Sequence, residues 1–151
     1  MMIESLQNSI YSREWIEEDR FLIYRFYDLP FSGVNTWYED VVKIWKILPM
    51  DRPTHLMLDV SSQKGIISAH ALLKARQASR ARPGIHGRSA VLVSNSIAHQ
   101  LISQMVRNGL MEPGRERQIF TLESEARKWV LAYKPTSEIE NIPLSVGKPH
   151  S

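Results

Sequence analysis

The feature that most constrains this chain is a unit used more than once. A short aliphatic run ends in small polar residues and gives way to an amphipathic stretch. His55-Leu56-Met57-Leu58-Asp59-Val60-Ser61-Ser62 is one copy, and Arg88-Ser89-Ala90-Val91-Leu92-Val93-Ser94-Asn95-Ser96 is another. Short runs rich in Val and Leu read as buried strands, and the stretches that follow carry apolar residues at helical spacing. Successive strand–helix–strand units favour parallel strands joined by right-handed crossovers, so the chain belongs to the α/β class.

The remaining segments fit around these units. Ser12 to Glu17 and Arg20 to Tyr27 read as two strands, the second rich in aromatic and aliphatic residues, with Glu18-Asp19 as a tight turn between them. Leu29-Pro30-Phe31-Ser32-Gly33 is expected to break the second strand. Trp37, Val41, Ile44, Trp45 and Leu48 then recur on one helical face, with Asn35 as the cap or Thr36 and Glu39 as a capping box. A strand over His55 to Val60 precedes a helix over Ser68 to Ser79 that carries Ala69, Leu72, Leu73 and Ala75 and stops before Pro83-Gly84. A strand over Ser89 to Ser94, a helix over Ile97 to Asn108 closed by Gly109, and a strand over Glu116 to Thr121 follow. Thr121 is placed to cap a last helix bearing Leu122, Ala126, Trp129, Val130 and Tyr133. The order is ββαβαβαβα, with about five strands in a mixed sheet. Residues 1–134 form one domain, and Pro135 to Ser151, with three prolines and no periodicity, reads as a loose tail.

Composition narrows the chemistry. The 151 residues contain no cysteine, which excludes disulfides, thiolate metal sites and cysteine nucleophiles. A net charge of +3 is a mild basic excess that permits an acidic partner without requiring one. No stretch approaches the roughly 20 apolar residues of a membrane span. Met1 to Leu6 lacks a basic head followed by an apolar run, so the expected location is cytoplasmic.

Three segments carry a resemblance. His55 to Ser61 is an aliphatic strand ending in Asp and small residues; Arg88 to Ser94 is a basic residue followed by an aliphatic run. Arg117-Gln118-Ile119-Phe120 leads into an acidic helix with Ala126 and Trp129-Val130. In this order the segments resemble the SpoIIAA-like group of the STAS fold, including the STAS/SEC14-type proteins of bacteria. The resemblance implies a small sheet with helices mainly on one face and a regulatory binding module. It also implies control by phosphorylation of a Ser near a strand end, where Ser61 and Ser62 stand. The chain departs from the Asp-Ser-Ser-Gly helix start of the anti-sigma antagonists, reading Ser62-Gln63-Lys64-Gly65-Ile66 instead.

In parallel sheets ligands gather outside the carboxyl ends of the strands. Asp59, Ser61, Ser62, Ser94, Asn95, Ser96 and Thr121 would meet there. Ser94-Asn95-Ser96 precedes a helix whose free N–H groups suit an anion; the plainer reading is that Asn95 or Ser96 caps that helix. Asp59 would orient a Ser or bind a cation; the plainer reading is a turn in which it accepts from local amides. Among the five histidines no pair has zinc-motif spacing, so no metal site is expected. His99 follows the Ser94 turn, but Gly-x-Ser-x-Gly is missing. Lys74, Arg76, Arg80, Arg82, His86 and Arg88 form a basic run that would meet phosphates, or simply be a solvated helix face; with no aromatic residues interleaved, nucleic acid is disfavoured.

The preferred expectation is a non-catalytic regulatory or interaction module, without catalytic residue or cofactor. It would bind a protein partner, a second copy, or a small anionic or lipidic ligand at the strand ends. One alternative is a small hydrolase-type enzyme using Ser94 or Asp59, which needs His99 or Asp59 within hydrogen-bond reach of a Ser hydroxyl. Another is a basic surface docking on a membrane or nucleic acid.

Overall fold

A computed structural model describes residues 3–62, 68–95 and 115–134. The expected helix over 97–108, its Gly109 cap, Ser96, His99 and the tail from Pro135 lie outside the described residues. The sheet has six strands in sequence order: β1 (Leu6–Gln7), β2 (Tyr11–Ile16), β3 (Phe21–Phe26), β4 (His55–Asp59), β5 (Gly87–Leu92) and β6 (Arg115–Phe120). β1, β2 and β3 pair antiparallel, and β3 to β6 pair parallel. Leu58 stands opposite Val91 and Asp59 opposite Leu92 in parallel register, so the two repeated units are neighbours, as their pattern requires. The strand beyond the expected five is β1, whose two exposed residues carry no apolar alternation to announce it.

The helices are α1 (Phe31–Ile47), α2 (Ala69–Ser79) and α3 (Glu123–Leu131). α1 starts earlier than the expected Asn35 or Thr36 cap. Pro30 sits at the N-cap with φ of −69°, and its carbonyl accepts from Val34 N–H at 2.9 Å. The apparent breaker is thus the first turn of the helix, and Thr36 donates to Ser32 O within it. Gly33 is needed there because a Cβ would lie 2.9 Å from Ile10 Cγ2. α2 is capped by Ser68, whose side chain accepts from Ala71 N–H. α3 begins after Leu122 without a side-chain cap; Thr121 stands outside it, and Glu123 and Glu125 favour its positive end instead.

Alternation along the strands builds two cores. Leu22, Tyr24, Phe26 and Leu56 face α1, where Trp37, Val41, Ile44, Trp45 and Leu48 are buried as their spacing predicts. Phe21, Ile23, Met57 and Ala90 face the other way and pack on Ala126 and Val130 of α3. Two described helices therefore cover one face and one covers the opposite face. The expected apolar faces of the shorter helices are narrower than their sequences suggest. Leu73 and Leu122 are exposed, and Trp129 is half-buried against Phe120 with the Arg88 guanidinium over its ring.

Buried polar groups tie the layers together. Asp40 of α1 accepts from Arg13 Nη1 and from the Tyr24 hydroxyl, both at 2.6 Å. Burial, and then the Asp40 charge, push the Tyr24 phenol well above its ordinary pKa, so it remains a donor.

Candidate functional site

The carboxyl rim holds the polar residues expected there, and they engage one another. Asp59 Oδ1 accepts from the Ser61 N–H at 2.9 Å and from the Ser61 hydroxyl at 2.6 Å. Its Oδ2 accepts from Arg25 Nη1 at 2.9 Å. Arg25 also reaches both carboxylate oxygens of Glu123, at 2.8 and 3.0 Å, and Glu123 accepts from Arg127 as well. The Ser62 hydroxyl donates to Phe26 O at 2.6 Å. Hydrogen bonds from Arg25 first, opposed by some desolvation, bring the Glu123 carboxyl down to about 2. Ser94 follows β5 and is half-buried, and Asn95 is exposed. Thr121 is exposed.

Ser61 and Asp59 meet the geometric condition set for an enzyme. Their chemistry is poor for it. Both oxygens of the Asp59 carboxylate are already engaged, one by a guanidinium and one by its own turn, and the bond to Ser61 spans two residues, as in a local Asx turn. Arg25 and Glu123 are the rim residues that sequence reasoning missed. The available signal was a lone Arg in the aromatic and aliphatic strand Phe21 to Phe26, facing inward one step before its end.

The expected basic run does not form one surface. Arg82 donates to the carbonyls of Trp45 and Leu48 and closes the C-terminus of α1. Lys74 lies over the Tyr38 ring at 4.5 Å. Arg88 points to the opposite sheet face, where it bonds Trp129 O and Glu116. Arg80 is exposed, and His86 meets the Tyr133 hydroxyl at 3.0 Å.

A feature with no counterpart in the expected site lies between α1, α2 and the sheet. It is a cavity of about 110 Å³ walled mainly by apolar side chains, among them Val34, Trp37, Leu56, Leu58, Leu72 and Ala75. Its polar lining includes Ser89, Arg76, Arg117 and Arg115, the first residue of β6. Arg115 is 6% exposed. Its Nε donates to Ser89 Oγ at 2.7 Å, its Nη2 reaches Arg88 O at 3.4 Å, and its Cζ lies 5.2 Å from the centre of the Trp45 ring. Nη1 is buried without a partner, and so is Trp37 Nε1. No carboxylate among the described residues pairs with Arg115. Burial first, and then the charge of Arg117, bring its pKa down to about 9, which leaves it cationic at neutral pH. Native interiors leave few buried donors unpaired, so two in the wall of one cavity call for an explanation.

Among the described residues no group of His, Asp and Glu could hold a metal ion, and no helix is long and apolar enough to cross a membrane. No family model matches the chain, and neither a curated protein nor a solved structure does.

Proposed function

We propose that this protein is a non-catalytic binding module whose small ligand enters the cavity between α1, α2 and the sheet, rather than resting on the strand tips. One observation carries the reading: a preformed apolar cavity whose wall holds a buried cation with an unused donor. Ligand sites are concave, mostly apolar and fixed by few polar groups, which matches this lining. The rim, by contrast, has its carboxylates and Ser hydroxyls committed to internal bonds. The resemblance of the segments from His55, Arg88 and Arg117 to SpoIIAA-like proteins supports a regulatory role for the binding event, with a protein partner responding to it. The test uses hexan-1-ol as an apolar probe of the purified protein. Saturable binding that raises Tm supports the reading; no shift at millimolar alcohol overturns it.

A second reading rests on the 2.6 Å contact of Ser61 and Asp59, that of a hydrolase-type site. Ester or phosphate turnover abolished by Ser61→Ala would establish it. Absence of turnover against a broad ester and phosphate panel removes it.

A further inference from the structure

Building on that binding reading, we infer that the cavity selects a short-chain monocarboxylate, with its head on Arg115 and its chain running under α1 toward Trp37.

The head group follows from charge and donors. Arg115 brings a full positive charge into a buried position, at a desolvation cost that the described residues offset only with Ser89, one long contact to a carbonyl, and the Trp45 face. A guanidinium presents its N–H groups in a planar fork that matches a carboxylate, and Nη1 is the unused prong. An anion there would pair the charge and satisfy the donor in one step. A neutral alcohol would satisfy the donor only, and an ammonium would be repelled by Arg115. A single negative charge is favoured over a double one, because a dianion costs more to strip of its water on entering a mostly apolar cavity.

The chain follows from shape. Trp37 and Trp45 both line the cavity and are eight positions apart on α1, so the space runs about 12 Å along the helix. An apolar cavity of about 150 Å³ accommodates benzene, so about 110 Å³ suits an aliphatic chain of roughly four to six carbons. Trp37 Nε1–H, at the far end, offers a donor to a ligand that carries an acceptor there.

The experiment compares hexanoate, hexan-1-ol, hexylammonium and hexyl phosphate on the full chain by calorimetric titration at neutral pH. Hexanoate is expected to bind at least tenfold more tightly than hexan-1-ol, with hexylammonium weaker than both. Arg115→Gln, which retains a donor for Ser89, is expected to erase the hexanoate preference, bringing hexanoate to the affinity of hexan-1-ol or below it. Equal affinity for hexanoate and hexan-1-ol overturns the carboxylate assignment and leaves the cavity reading intact. Tighter binding of hexyl phosphate than of hexanoate also overturns it. A preference that survives Arg115→Gln overturns the role of Arg115. Binding of none of the probes overturns both the assignment and the cavity reading. Should Arg115→Gln fail to fold, the wild-type comparison decides alone.

Discussion

The carboxyl rim and the cavity belong to the same sheet and treat their polar groups in opposite ways. At the rim, Arg25 is shared by two carboxylates, Asp59 also holds Ser61, and Ser62 holds a backbone carbonyl. Nothing in that set needs a ligand to complete it. In the cavity wall, Arg115 keeps one buried donor unused and Trp37 another. A cluster of charged residues is therefore the weaker indicator of a site here. The stronger one is a polar group whose burial the protein itself leaves uncompensated.

The largest expected effect breaks both regions at once. Gly87 opens β5 at φ of +144°, and a Cβ there would stand 2.2 Å from Thr54 O. The close approach is what lets Thr54 N–H bond to His86 O at 2.9 Å and seats β5 beside β4. Gly87→Ala should cost about 3 kcal/mol or more, since backbone strain and a rigid clash add. Denaturant unfolding measures this; a loss under 1 kcal/mol would mean that β4 and β5 can separate without penalty.

A comparable effect, reached by pH, reports on the cavity's end of the sheet. His55 is buried, accepts from Arg88 N–H through Nδ1, and is held neutral by desolvation first and by the Arg115 and Arg88 charges next, with its pKa near 4. The unfolded chain takes up that proton near pH 6.5 and the folded chain does so only near 4. The stabilisation is thus complete above pH 6.5 and is lost as pH falls toward 4, by about 3 kcal/mol in all. His55→Gln should flatten that part of the stability profile. Hexanoate bound at Arg115 should move the His55 titration, followed by NMR, back toward 6.5, because it offsets one of the charges that depress it; an unmoved titration would place the anion elsewhere.

The rim gives a smaller effect of the opposite kind. Arg25→Gln leaves Asp59 and Glu123 near one another without their shared cation. Glu123 is about one-third exposed, so solvent screens the repulsion and the cost at pH 7 should be about 1–2 kcal/mol. The Glu123 pKa is depressed, so its contribution is present above about pH 4.5 and disappears as pH falls toward 2. The Arg25→Gln penalty should shrink over the same window, while hexan-1-ol binding stays unchanged. Lost hexan-1-ol binding in this variant would couple the rim to the cavity and blur the distinction between them.

The strands were legible because a parallel sheet demands continuous aliphatic runs, and His55 to Val60 and Ser89 to Val93 supply them. α1 was legible from five apolar positions on one face, though its first turn was hidden by Pro30 and Gly33, whose usual meaning is a break. β1 was not legible, because two exposed residues carry no pattern. The rim was half legible. Asp59 and Ser61 stood at a strand end, where local turns form, but Arg25 and Glu123 are 98 positions apart and only the register of β3 against β4 brings Arg25 beside Asp59. The cavity was not legible at all. It is set by the mismatch between small residues on α2, Ala71, Ala75 and Ala78, and the aliphatic floor of the sheet, a sum over two elements that neither reveals alone.

That mismatch supplies the smallest and most discriminating test. Ala75 sits on the cavity side of α2, and Leu keeps nearly the helix propensity of Ala. In a core already packed to native density, three added carbons and their hydrogens would force side chains off their rotamers and cost about 1–3 kcal/mol. Over an empty cavity the same atoms gain contacts, so Ala75→Leu should leave stability unchanged or raise it by up to about 1 kcal/mol. It should also remove the Tm shift given by hexan-1-ol while leaving the rim ion pairs and the acid limb of the stability profile untouched. Stabilisation with lost alcohol binding places the ligand under α2. Destabilisation by more than 1 kcal/mol with alcohol binding retained would mean that the space near Ala75 is ordinary packing, and the contrast between a self-satisfied rim and an unfinished interior would no longer hold.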